Sequence, residues 1–152
     1  MNHVYDILEV IKDELRATKG VNTVSFGDIA EADLDKTTIF PLSHIILGNA
    51  NHRGNVIEFD LKILMCDIVD HNNKKTDDDE FYGNDNMQDV LNTQFEVGNR
   101  LISKLRRGDL FRQQYRVVSD TILEPFVDRF SNLLAGYELN ITIQVKNDMS
   151  IC

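Results

Sequence analysis

The chain has 152 residues, 42% of them hydrophobic, which suits one domain with a real core. Asp and Glu number 25 against 16 Lys and Arg, a formal net charge of −9 that argues against holding nucleic acid or anionic lipid by bulk attraction. Two cysteines, Cys66 and Cys152, are too few for a disulfide framework or a four-ligand zinc site. No run approaches the roughly 18 apolar residues of a membrane span, and the N-terminus lacks the basic-then-apolar order of a signal peptide, so a soluble domain of a reducing compartment is expected.

From the N-terminus, Val4, Ile7, Leu8, Ile11 and Leu15 recur every three or four residues and predict an amphipathic helix, with Gly20 placed to end it. Val21 to Phe26, short and β-branched, predicts a strand, and residues 28–38 a polar surface loop. Ile39 to Leu47 is apolar. Asn49 to Asn55 is dense in turn-forming residues. Val56 to Val69 then alternates, with Ile57, Phe59, Leu61, Ile63 and Met65 on one face and Glu58, Asp60 and Lys62 on the other, until Leu64, Cys66 and Ile68 make both faces apolar. As one strand it runs about 46 Å, well beyond the usual length. This predicts a long hairpin reaching past its own core. Its two-sided apolar end would need a second surface, from a helix of the chain or a neighbouring subunit.

Residues 70–86 predict an acidic loop carrying Asp70, Asp77, Asp78, Asp79, Glu80 and Asp85. From Met87 the helical period returns through Val90, Leu91, Val97, Leu101, Ile102 and Leu105, with Gly108 as the stop and Asp85 or Asn86 as N-cap. Tyr115 to Phe126 predicts a strand that Pro125 marks as an edge. After Gly136 the alternation is clean: Tyr137, Leu139, Ile141, Ile143 and Val145 against Glu138, Asn140, Thr142, Gln144 and Lys146. The expected architecture is one α+β domain over residues 1–152, a mostly antiparallel β-sheet with a long hairpin, flanked by two α-helices.

Little in the sequence argues for catalysis. The run Asp77-Asp78-Asp79-Glu80 is the one candidate metal cluster, but read as an EF-hand loop it puts Phe81, Tyr82 and Gln88 where an oxygen ligand, Gly and Glu belong. His3, His44, His52 and His71 lie in four segments without ligand spacing, and none neighbours a candidate nucleophile in sequence. No dinucleotide, P-loop, serine-hydrolase or zincin motif occurs, and no cofactor is expected. Arg100, Lys104, Arg106, Arg107, Arg112 and Arg116 face one acid, Asp109. They are either a solvated helix end or a patch meeting acid on a partner, the chain's own acidic loop included.

The order of elements, with Glu124-Pro125-Phe126-Val127-Asp128-Arg129-Phe130, Leu133-Leu134-Ala135-Gly136-Tyr137 and the alternating Leu139 to Val145, resembles the tail-terminator or tail-completion proteins of tailed bacteriophages. The resemblance implies a non-catalytic virion protein, assembled in the host cytoplasm. It would form a ring, usually hexameric, that caps the tail tube and joins it to the head connector, with DNA passing through. Tube and connector proteins would be its partners. A head–tail connector or neck protein is the nearest alternative. Two readings of other classes stay open: a metal-dependent enzyme built on the Asp77–Glu80 cluster, and an acidic adaptor or DNA mimic.

Overall fold

The computed structural model describes residues 3–28, 39–69, 85–107, 115–127 and 134–147. They form α1 (His3–Arg16), β1 (Thr23–Phe26), β2 (Leu42–His52), β3 (Val56–Ile68), α2 (Asp85–Arg107), β4 (Tyr115–Val127) and β5 (Leu134–Lys146). The strands make one five-stranded sheet in the order β1-β2-β3-β5-β4. All neighbours are antiparallel except β1 and β2, which run parallel. This is the expected α+β fold.

The alternation in β3 and β5 decides which face the helices cover. Ile57, Phe59, Leu61, Ile63 and Met65 stand opposite Val145, Ile143, Ile141, Leu139 and Tyr137. These two apolar rows join Ile7, Leu8, Ile11 and Leu15 of α1 and Val97, Leu101 and Leu105 of α2 in a single core. Each large aliphatic side chain buried there contributes about 1.5–3 kcal/mol. The apolar stripes of both helices therefore share one side of the sheet. α1 ends at Arg16, and Gly20, at φ 91°, turns the chain toward β1 in the left-handed region.

The opposite face is polar over the upper half of β3 and β5. Thr142 Oγ1 donates to Asp60 Oδ1 at 2.8 Å, Gln144 Nε2 donates to Glu58 Oε1 at 3.2 Å, and Lys62 Nζ lies 2.9 Å from Glu138 Oε1. Lower down it is apolar. Leu42, Cys66 and Leu134 are buried with Phe40, and Ile39, Ile68 and Phe126 pack against them. The second surface for the two-sided end of β3 thus comes from the chain itself. It is supplied by the segment before β2 and the end of β4.

Three boundaries differ from the sequence reading. β2 continues through Asn49, Ala50, Asn51 and His52, leaving only residues 53–55 for the turn, because Ala50, Asn51 and His52 pair with Phe59, Glu58 and Ile57 of β3 after one bulge. Pairing with a strongly alternating neighbour overrides local turn preference. The hairpin also does not project beyond the sheet, since β5 accompanies β3 from Val56 to Ile68. Finally, β5 begins at Leu134, so Gly136 lies inside the strand. The loop proposed at 28–38 falls outside the described residues beyond Asp28.

Candidate functional site

Among the described residues the sheet is open on both sides, along β1 with the part of β2 beyond it and along β4. β1 covers β2 only from Leu42 to Ile45, so Ile46 to His52 present an unpaired edge, and Leu47 to His52 are exposed. On the other side β4 pairs only with β5, and its outer edge is open. Three strand spacings, about 14 Å, separate β2 from β4. Among the described residues, four of the six exposed large hydrophobic residues lie on these edge strands. They are Phe26 and Leu47 on the β1–β2 side and Ile122, 54% exposed, and Val127 on the β4 side. Single exposed apolar residues are ordinary, but their concentration along unpaired strands marks surfaces suited to another chain.

The two edges differ in backbone chemistry. In β4 the register with β5 shifts between Val118 and Ile122, and Pro125, opposite Tyr137, has no N–H to offer a further strand. Pairing with β5 resumes regularly from Ile122 to Val127, but Tyr115 to Val118 is the stretch of β4 free of both bulge and proline. The open part of β2, Ile46-Leu47-Gly48-Asn49-Ala50-Asn51-His52, has no proline and no Asp, Glu, Lys or Arg.

Among the described residues, the basic side chains of the second half do not form one patch. Arg100, Lys104 and Arg106 are exposed along α2, where Arg106 Nη2 donates to Thr121 Oγ1 of β4 at 3.2 Å. Arg116 is exposed on β4 opposite Gln144, on the sheet face turned away from the helices. Arg107 is the last residue of α2, with its side chain undescribed, and Arg112 lies outside the described residues. Of the acidic candidates, Asp85 opens α2, which shortens the proposed loop at its C-terminal end. Asp70, Asp77, Asp78, Asp79 and Glu80 lie outside the described residues. Among the described residues no group of three or more His, Cys, Asp or Glu is placed to hold a metal ion, and no helix is long and apolar enough to cross a membrane.

One polar pairing was invisible in sequence. The Ser25 hydroxyl lies 2.6 Å from His44 Nδ1, and His44 Nε2 lies 3.1 Å from the Gly27 carbonyl. The carbonyl can only accept, so Nε2 carries the proton and Nδ1 accepts from Ser25. Both ring nitrogens are therefore satisfied by β1 and the residue after it, and the imidazole is 1% exposed. The arrangement ties the short β1 to β2 on the face away from the helices. Nineteen residues separate the pair in sequence, and only the parallel register of β1 with β2 brings them together.

Two ionisable groups near the lower end of β3 are perturbed by burial. Cys66 is buried and its thiol is pushed up to about 12, mainly by desolvation and further by neighbouring Asp67. Such a thiol is a poor nucleophile. Asp67 is also raised above the usual carboxylate range by desolvation, with the Ile68 N–H on Oδ1 pulling the other way. No protein-family model matches this sequence, and no curated protein shows significant similarity to it.

Proposed function

We propose that the chain is a structural protein that assembles head to tail into a ring, acting as a tail terminator of tailed bacteriophages. The observation that carries the assembly part is the pair of open strand edges on opposite sides of one sheet, each bearing exposed apolar side chains. Different surfaces on opposite sides favour a heterologous contact, and such contacts close into rings when the rotation per copy closes. The phage setting rests on the resemblance carried by the Glu124–Phe130 and Leu133–Tyr137 stretches and the order of elements.

In this reading the ring caps the tail tube, joins it to the head connector and lets DNA pass without sequence-specific binding. No cofactor or catalysis is involved. Six copies would carry a formal charge of −54, six times −9. A bore lined by acidic residues would repel the phosphate backbone and keep DNA sliding. A neck protein would use the same ring with different neighbours, so the binding partner separates the two. The test is light scattering and electron microscopy of the full chain, alone and with tail tube protein. A ring on the end of the tube is expected; monomer at every concentration with tube protein present overturns the proposal.

A further inference from the structure

We infer that neighbouring copies join by strand pairing, with Tyr115–Val118 of β4 in one copy laid antiparallel against Ile46–His52 of β2 in the next. This rests on the head-to-tail reading above and specifies its joint.

Direction comes first. β2 is antiparallel to β3, β3 to β5 and β5 to β4, so β2 and β4 run in opposite senses. A copy related by rotation about an axis along the strands therefore presents β4 to the β2 edge in antiparallel orientation. The alternation β2-β3-β5-β4 continues into the next copy without a break.

Height comes second. Asn51 stands opposite Glu58, Glu58 opposite Gln144, and Gln144 opposite Arg116. The open part of β2 and the regular part of β4 thus lie at the same level of the sheet. Arg116 of one copy comes level with Asn51 of the next, one strand from Glu58.

The third observation is where each edge stops being usable. β1 occupies the column beside β2 up to the pair Phe26 and Ile45. An incoming β4 must leave that column at the next level, that of Ile46, Lys62, Asn140 and Ile122. The irregularity in β4 falls there, between Val118 and Ile122. A bulge bends the strand that carries it, but below it β4 stays paired with β5 from Ile122 to Val127, so at the joint the two copies' sheets splay apart below this level to clear β1. The receiving stretch of β2 carries no formal charge, so copies of a chain with net charge −9 meet at a seam without acid on the receiving strand.

The test is disulfide trapping in the full chain with Cys152→Ser, where Cys66 remains buried with its thiol protonated. Asn51→Cys combined with Arg116→Cys, and separately with Val118→Cys, is assembled with tube protein, oxidised and run on a denaturing gel without reductant. A ladder of linked copies up to the full ring is expected from at least one pair, with each single variant staying at monomer size. Rings that form normally but give no ladder from either pair overturn the strand joint and leave the ring reading standing. A dimer from Asn51→Cys alone means two β2 edges face each other, which also overturns the joint. Absence of any assembly in the Cys152→Ser parent overturns both.

Discussion

Gly136 of β5 lies against Met65 of β3 so closely that a Cβ on Gly136 would overlap the Met65 carbonyl oxygen and come within 2.8 Å of the Cys66 Cα. Backbone atoms cannot swing aside as a flexible side chain can. Gly136→Ala should therefore cost about 3 kcal/mol or more, the upper end of overpacking penalties. Urea unfolding should show a lower midpoint with little change in slope; an unchanged midpoint means the two strands can part here at no cost.

Cys66 gives a chemical check on the apolar cluster at the lower end of β3. With its thiol pushed up to about 12 by burial, it should resist a thiol reagent such as DTNB at neutral pH in the native state. In the Cys152→Ser background one thiol should react promptly once the chain is unfolded. Fast labelling of the folded protein contradicts the packing of Cys66 beneath Phe40 and Leu42.

Asp67 makes stability pH-dependent in a direction opposite to a salt-bridged carboxylate. Its folded pKa is raised above the ordinary 3.8, so folding favours the protonated form. That favourable contribution is complete below the unfolded value and is lost as pH rises through the folded one. Asp67→Asn should therefore raise the melting temperature at pH 7, and the gain should shrink toward zero as pH falls to 3.8. Melting curves across pH decide it; a gain that persists unchanged at acid pH assigns the effect to something other than ionisation.

The Ser25–His44 tie should matter mainly to β1. Ser25→Ala leaves His44 Nδ1 buried without its donor, at a cost of about 1–2 kcal/mol. Amide exchange should speed up chiefly where β1 pairs with β2, at residues 23–26 and 42–45. Equal acceleration throughout the sheet would show that the pairing is not local.

Gln94 occupies a core position of α2, four residues after Val90 and three before Val97, and among the described residues neither side-chain polar atom has a hydrogen-bond partner. Burying an unpaired amide costs more than burying an apolar side chain of its shape. Gln94→Met should raise stability by about 1 kcal/mol, read as a shift of a few degrees in melting temperature. A loss of stability would place a polar partner at this position.

Periodicity carried far into the structure because burial leaves a direct trace in side-chain order. The stripe Ile7, Leu8, Ile11 and Leu15 is the buried face of α1, and the alternations of β3 and β5 meet residue by residue in the core. Gln94 shows the limit: its slot is buried, yet a polar residue there breaks the stripe and looks like surface. The Asn-rich stretch before Arg53 shows another, since turn-forming residues enter a strand when an alternating neighbour supplies its hydrogen bonds.

By itself, then, the sequence determined both helices and the strongly alternating strands and which side of each is apolar, because periods of 3.6 and 2 residues follow from local backbone geometry. Only the tertiary structure decided what stands beside what. Strand order and register left β2 open beyond Ile45, brought Ser25 to His44, and turned Arg116 to the sheet face opposite the helix that carries Arg106. These are relationships between segments far apart in the chain, set by which edges pair, and no local repeat of residue types encodes them.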